Sequence, residues 1–144
     1  MHDEDPQFDP DELGDAGADA PQASIEQVIH EDGRYRPEAF GFLHEGLARA
    51  VQNVYGEKAG PGGHVSGRQL CLSLRDLACE RYGMLAPVVL RRWGIRESID
   101  FGNMVYLLID NGFMRKTDED SIEDFRDVFD VAKDFDPGEI RLSE

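Results

Sequence analysis

Five arginines are the side chains that the sequence most directly suggests for binding a partner. Two occupy the third predicted helix and three surround the fourth: Arg68, Arg75, Arg91, Arg92 and Arg96. Arg68 and Arg75 are seven residues apart, which places both side chains on one face of an α-helix. Guanidinium groups bind carboxylates and phosphates through paired hydrogen bonds. Because acids are so numerous, the sequence favours ion pairs between these arginines and the chain's own acidic last helix or tail, and a patch for a phosphate or an acidic partner is the alternative.

Metal and catalytic chemistry have no comparable pattern in the sequence. The four histidines and two cysteines include no C-x-x-C pair and no two histidines at helical ligand spacing, so we predict no metal site. The stretch Asp9-x-Asp11 resembles the start of a calcium loop, but Leu13 and Ala20 occupy two ligand positions. No catalytic motif or phosphate-binding loop occurs, so we predict no catalytic residue and no cofactor.

The two cysteines lie within one predicted helix. Cys71 and Cys79 are eight residues apart, or about 12 Å at the helical rise. Because a disulfide needs a much shorter separation, we expect two reduced thiols. Small apolar side chains of this kind usually pack in a core, and we expect both to do so.

The net charge of −15, from 30 acidic residues against 15 lysines and arginines, is unevenly distributed. Residues 1–24 contain eight acids and no base, and residues 117–144 contain eleven acids and three bases. The middle, residues 25–116, is nearly neutral with eleven acids and twelve bases. Nucleic acids and anionic membranes are bound through concentrated positive charge. The charge pattern therefore disfavours a nucleic-acid partner and excludes a membrane-surface helix.

The length and composition predict one domain. We expect a helical domain at residues 25–136, between a disordered acidic tail at residues 1–24 and a frayed C-terminus at residues 137–144. An apolar content of 40% suffices for a single core. No apolar run is long enough to span a bilayer, and the N-terminus lacks the features of a signal peptide, so we predict a cytoplasmic protein without membrane contact. The acidic tail could also lie over the arginine patch and mask it.

Apolar residues at spacings of three and four predict a mostly α fold of five to six helices. Ser24 and Ser66 are expected N-caps, Pro37 is expected in a first turn, and Ser98 or Asp100 is expected to cap the fifth helix. The last helix is expected to bury a stripe of Ile122, Phe125, Phe129 and Ala132. The predicted helices span residues 24–31, 37–56, 67–82, 87–93 and 121–135, and the fifth helix is expected to run from its cap at Ser98 or Asp100 to about Asp110.

Residues 84–116 predict two helices joined by a tight turn at Gly94. The second helix is expected to end with Gly112 in the left-handed conformation and Phe113 folded back, followed by a short strand at residues 113–116. Winged-helix modules share this order of elements. A winged-helix-like core of three helices, with a nucleic-acid-associated regulator as the function, is therefore an alternative. The second helix carries apolar rather than basic side chains, which disfavours nucleic acid.

Four motifs carry a resemblance to a known family. They are Arg34-Tyr-Arg-Pro-Glu-Ala-Phe40, His64-Val-Ser-Gly-Arg-Gln-Leu70, Trp93-Gly-Ile95 with Asp100-Phe-Gly102, and Asp120-Ser-Ile-Glu-Asp-Phe125. With these motifs, the chain from about residue 25 to 135 resembles a family of short, uncharacterised bacterial proteins. The family has no assigned activity, cofactor or catalytic residue. The resemblance implies a free-standing bacterial domain and assigns no site.

These observations together predict a cytoplasmic, non-enzymatic interaction or regulatory protein. Its partner is expected to be another protein, bound through the arginine-bearing helices or the acidic ends. The oligomeric state is left open. A winged-helix-like regulator is the second hypothesis, and an enzyme assembled from residues distant in sequence is the third.

Overall fold

Helices account for most of the described chain, which comprises residues 24–56, 64–117 and 120–135 of a computed structural model. The α-helices are α1 (Ile25–Asp32), α2 (Pro37–Tyr55), α3 (Gly67–Tyr82), α4 (Ala86–Arg92), α5 (Ser98–Asp110) and α6 (Val131–Asp134). Two 3-10 turns lie at Gly83–Leu85 and Ile122–Phe125. The predicted mostly α, compact single domain is confirmed. Residues 1–23 and 136–144, which include the predicted tail and C-terminus, lie outside the described residues.

The first three helices begin where the sequence signals place them. Ser24 accepts a hydrogen bond from the Gln27 backbone N–H at 3.1 Å, and Ser66 accepts one from Gln69 at 3.1 Å. In both cases the glutamine side chain accepts a hydrogen bond from the backbone N–H of the serine in return, which completes a capping box. Pro37 is the first residue of α2, where its missing N–H costs no hydrogen bond.

The start of α5 differs from the prediction. Its N-cap is Glu97 rather than Ser98 or Asp100. Asp100 lies in the first turn, where its carboxylate accepts from the backbone N–H groups of Arg96 at 2.8 Å and Glu97 at 3.1 Å. Ser98 is fully buried, and its hydroxyl is used by another part of the chain. A tertiary contact therefore removed this serine from the capping role that its sequence position suggested.

Ser98 connects α5 to the C-terminal segment. Its hydroxyl donates to the Phe125 carbonyl at 2.6 Å. The same oxygen accepts from the backbone N–H groups of Val128 at 3.0 Å and Phe129 at 3.3 Å. A hydroxyl has one hydrogen to donate and two lone pairs, so all of its hydrogen-bonding capacity is used. Residues 125–129 are consequently held against the first turn of α5.

The predicted helix at residues 121–135 is wrong. After the 3-10 turn the chain leaves helical geometry, and Asp127 has a φ of 58°. The Phe129 carbonyl accepts a hydrogen bond from the Ser98 N–H at 3.0 Å, and the Arg96 carbonyl accepts one from the Val131 N–H at 2.8 Å. Together these two bonds form an isolated antiparallel bridge. These bonds replace the i to i−4 bonds of a helix. Of the predicted stripe Phe125 and Phe129 are buried, whereas Ile122 is half-buried and Ala132 is exposed.

The C-terminal cap of α5 agrees with the prediction, but the strand predicted after it does not. Gly112 has a φ of 82°, and the Phe113 N–H donates to the Leu108 carbonyl at 2.8 Å, as in a Schellman motif. Phe113 is buried. Residues 113–116 form turn and irregular chain, so the short β element is absent from this part of the described structure. The cap satisfies backbone carbonyl groups at the end of α5, so this helix end needs no β-strand beside it.

Aromatic rings connect the elements of the core. Phe42 on α2 lies 5.3 Å from Trp93 and 6.3 Å from Phe101, measured between ring centroids. Phe101 contacts Phe129 at 6.1 Å, and Phe129 contacts Phe135 at 5.4 Å with rings at a steep angle. Such edge-to-face pairs add to the stabilisation from burial. Phe42 is buried beside Phe40 and Leu43, so α2 buries a wide face.

The two thiols have different environments, contrary to the prediction that both are core residues. Cys71 is buried and Cys79 is exposed, and both are free. Burial raises the pKa of the Cys71 thiol to about 12, so it stays protonated and unreactive near neutral pH. The pKa of the Cys79 thiol is also raised by burial.

We expect one thiol to react with Ellman's reagent in the native protein at pH 8, and two in denaturant. Exposure gives the reagent access to Cys79, whereas Cys71 lies inside the core. Cys79→Ser should abolish the native reaction, and Cys71→Ser should leave it in place. Rapid release of two equivalents from native protein would contradict the assignment.

Candidate functional site

The five arginines predicted to bind a partner belong to two groups in the structure. Arg68 and Arg75 lie on α3. Arg91 and Arg92 end α4, and Arg96 lies in the connection to α5. All are exposed except Arg75, which is half-buried and 3.6 Å from its neighbour Asp76. The other four form no ion pair with any residue in the described ranges.

The ion pairs that the structure does contain lie mainly elsewhere. Arg49 pairs with Glu80 at 2.5 Å, and Arg81 pairs with Glu45 through two hydrogen bonds, so both pairs join α2 to α3. Arg126 pairs locally with Glu123 at 2.6 Å. Within the described part of the C-terminal segment, no acid pairs with the predicted arginines. The expectation that these arginines form ion pairs with the acidic ends therefore has no support from residues 120–135.

An exposed apolar surface adjoins the arginines of α4. Met84, Leu85 and Val88 are 49%, 64% and 51% exposed, and we call them the Leu85 patch. Their spacings of three and four residues place them on one side of the helical chain. Leu85 and Val88 belong, with Leu90, to the run of apolar residues in and just before α4. Of these three Leu90 is the one that is buried, because α4 packs on the core with a narrow face.

The helix that resembled a recognition helix is part of the core. Phe101 and Met104 are fully buried, and Asp110 is the single exposed residue of α5. Trp93 and Tyr106 are half-buried, so these two side chains and Phe101 do not form an exposed aromatic groove. Base readout needs polar side chains on a helix that can enter a groove. The nucleic-acid alternative stays a prediction without a candidate recognition helix.

A second site joins residues that are far apart in the sequence. His64 lies just before α3 and Asp120 just before the 3-10 turn, and the imidazole Nε2 is 2.8 Å from the Asp120 carboxylate. The two side chains are 36% and 17% exposed. A carboxylate at this distance orients the ring and accepts a hydrogen bond from a protonated Nε2. The pair has the chemistry of a positioned general base or of a ligand-binding acceptor.

Backbone contacts hold both partners of this pair. The Tyr55 hydroxyl donates to the His64 carbonyl at 2.5 Å and accepts from its N–H at 3.4 Å. The Thr117 N–H donates to the second oxygen of Asp120 at 2.7 Å. The Asp120 N–H donates back to the Thr117 carbonyl at 3.1 Å. The C-terminal end of α2 and the segment that follows α5 therefore fix the position of the His64–Asp120 pair.

The His64–Asp120 pair stands at the edge of a cavity between α3, α5 and the 3-10 turn. The cavity has a volume of about 40 Å³, and we call it the Tyr106 cavity because the buried hydroxyl of this residue has no hydrogen-bond partner among the described residues. An open cleft of about 680 Å³ adjoins it and shares His64, Asp120 and Asp124 with it. Burial, followed by the carboxylates of Asp120, Asp124 and Asp110, raises the pKa of Tyr106. The hydroxyl is therefore neutral and lies in a negative field.

Sequence reasoning missed this second site. In the sequence, His64 follows a stretch rich in glycine and proline, and Asp120 lies in a run of acidic residues. The two are 56 residues apart, and no spacing rule relates them. The structure also shows no group of three metal-ligating side chains within the described ranges. A signal that could have drawn attention to His64 is its position two residues before the Ser66 N-cap, which ties it to a helix start.

Comparisons with known proteins add no assignment. No protein-family model, no curated protein and no solved structure matches the chain. In the part of the chain that the structure describes, no helix has the length and apolar character needed to cross a bilayer. The resemblance to a family of short bacterial proteins stays a prediction.

Proposed function

We propose that the chain is a cytoplasmic, non-enzymatic interaction protein of the bacterial family that it resembles, and that it binds a partner protein through the Leu85 patch. The observation that carries this proposal is the exposure of three neighbouring apolar side chains on one helical face. Burying such a side chain contributes about 1.5–3 kcal/mol. A partner that covers all three would gain enough to offset part of the cost of association.

The charge beside the patch defines the chemistry of the partner. Arg91 and Arg92 follow Val88 by three and four residues, so they lie one helical turn beyond it. Both are exposed and have no ion pair with a described residue. Their guanidinium groups are available to carboxylates. The partner segment should therefore combine apolar residues with acidic ones, which the arginines would orient and select.

Photo-crosslinking can identify this partner. A photoreactive phenylalanine at position 85 of the full chain should capture the partner, and the partner should then be purified for affinity measurements. We expect Arg91→Glu with Arg92→Glu, and separately Leu85→Ser, to weaken binding by about tenfold or more. Val54→Ser, which changes an exposed apolar residue of α2 away from the patch, is the matched control. Equal affinities for all variants would refute this binding surface.

The chain itself contains a segment with the chemistry expected of the partner. Residues 1–24 contain eight acids, no base, and Phe8 and Leu13 as sizeable apolar residues. A competing contact within the chain would lower the apparent affinity for the partner. The full chain should therefore bind the purified partner more weakly than a chain that begins at Ser24. Equal affinity of the two chains would exclude such competition.

A further inference from the structure

We propose that the Tyr106 cavity and its outer cleft bind a small organic cation, namely a primary ammonium group attached to a short apolar body. This site is separate from the Leu85 patch and does not depend on the function proposed above. Three features support it: the acceptors that line the cavity, the carboxylate that lacks a counter-ion, and the apolar walls.

Two polar groups on the cavity wall have no side-chain hydrogen-bond partner among the described residues. The Tyr106 oxygen is buried and has no described partner. The Asp124 carboxylate forms no side-chain hydrogen bond with any described residue. A ligand that brings several N–H donors would satisfy these atoms, and a primary ammonium has three.

The charges around the buried hydroxyl favour a cation. Asp120 shares its carboxylate with His64 and the Thr117 N–H, whereas Asp124 has no ion pair within the described ranges. Burial raises the pKa of Tyr106, and the carboxylates of Asp120, Asp124 and Asp110 raise it further. Asp120 and Asp124 give the cavity wall two negative charges and Arg115 gives it one positive charge, so one net negative charge remains when His64 is left out of the sum. A cation placed near Tyr106 would be attracted by a partly desolvated negative charge.

The shape of the site limits the size of the ligand. The inner volume of about 40 Å³ accepts a group of the size of an ammonium or a methyl. Leu70 on α3, Val105 and Ile109 on α5, and Phe125 supply apolar walls. The outer cleft of about 680 Å³ is wide enough for the rest of a short chain. A compact alkylammonium fits this combination of apolar walls and acceptors.

Gly67 allows the carboxylate to lie this close to α3. A Cβ atom at position 67 would lie 2.7 Å from Phe125 Cε1 and 2.9 Å from Asp124 Cβ. These distances are shorter than side chains tolerate, so the 3-10 turn could not pack here against any other residue. The missing side chain thus places Asp124 and Phe125 on the cavity wall.

Binding of n-butylammonium chloride to the full chain tests the proposal. Backbone amide NMR shifts should be recorded at pH 7.5 and constant ionic strength, with n-butanol and sodium butyrate as ligands of matched length. We expect butylammonium to bind with a Kd of the order of 1 mM and to shift the amides of residues 64–67 and 121–125. Butanol and butyrate should bind at least about tenfold more weakly.

Two conservative variants decide whether the ligand occupies this cavity. Asp124→Asn retains the size of the side chain and should weaken butylammonium binding by about tenfold. Tyr106→Phe retains the ring and should weaken it by about threefold or more. Asp76→Asn, which removes an exposed acid from another part of α3, should leave the Kd unchanged. The amide spectrum of each variant reports whether it is folded.

Several results would overturn the proposal. They are the absence of any amide shift with butylammonium at a concentration of about 50 mM, butanol binding as tightly as butylammonium, and butyrate binding more tightly than both. Full affinity in both Asp124→Asn and Tyr106→Phe would likewise place the cation elsewhere. None of these results bears on the Leu85 patch, so the two proposals can fail independently.

Discussion

Phe125→Ala is expected to lower the free energy of unfolding by about 3–5 kcal/mol, the usual cost of removing a buried phenylalanine. The ring is 4% exposed and fills the space beside two glycines. A Cβ atom at Gly67 would lie 2.7 Å from the ring, and one at Gly102 would lie 2.8 Å from the Phe125 side chain. With α3 and α5 this close on both sides, the cavity left by alanine could not collapse fully.

Urea denaturation followed by circular dichroism measures this effect. Ile122→Ala in the same 3-10 turn is the matched control. Because Ile122 is only half-buried, its replacement should lower the free energy of unfolding by less. A loss below about 1 kcal/mol for Phe125→Ala would show that the C-terminal segment contributes little to the core. Such a result would also weaken the case for the Tyr106 cavity, whose wall includes this ring.

Two glycine-to-alanine changes on α2 are expected to have opposite signs. Gly46 faces α3, and a Cβ atom there would lie 2.8 Å from Leu74 Cγ and closer still to Leu74 Cδ2. Leu74 is 1% exposed, so it has no free space into which to move. Gly46→Ala should therefore destabilise the protein by about 1–3 kcal/mol. Gly41→Ala should stabilise it by about 0.5–1 kcal/mol, because position 41 is open and helical.

The same chemical change is compared at two positions of one helix, so helix propensity alone predicts stabilisation in both. The difference in unfolding free energy between the two variants isolates the close approach of α2 and α3. Near Gly46 a second interaction supports that approach, since the buried Ser73 hydroxyl donates to the Gly46 carbonyl at 2.9 Å. A stabilised Gly46→Ala protein would mean that the two helices lie farther apart than described.

The sequence predicted the parts of the fold that local interactions determine. Ser24 and Ser66 cap helices through residues three positions away, and Gly112 with Phe113 closes α5 through atoms within one turn. The apolar positions of α2 repeat at helical spacing, and Phe40, Leu43 and Leu47 are buried as that spacing indicates. Such signals involve short separations along the chain, so they can be recognised without knowing the fold.

The wrong predictions have a common cause, because in each case the deciding contacts join residues that are far apart in the sequence. The pattern at residues 121–135 is helical, yet Ser98 and Arg96 provide hydrogen-bond partners that the segment uses instead. Residues 113–116 were expected to form a strand, but the described structure offers them no partner strand. Ser98 was expected to cap a helix. Instead its hydroxyl uses all of its hydrogen-bonding capacity on residues 27 to 31 positions away.

The candidate sites divide in the same way. The arginines near α4 could be predicted from the sequence, since a charge on a helix surface is visible in the helical spacing. The exposure of the Leu85 patch could not, because it depends on which face of α4 the core covers. The His64–Asp120 pair and the Tyr106 cavity depend on contacts between three elements. Their residues had no shared signal along the chain.

The amino-acid sequence by itself determined the helical class, most helix ends and the separation of charge into two acidic ends and a nearly neutral middle. Capping, helical periodicity and net charge depend on residues close together or on simple sums, and they need no tertiary information. The tertiary structure alone decided the path of residues 121–135, the exposure of the Leu85 patch and the meeting of His64 with Asp120. Those features follow from competition between local hydrogen bonds and long-range contacts, and packing decided that competition.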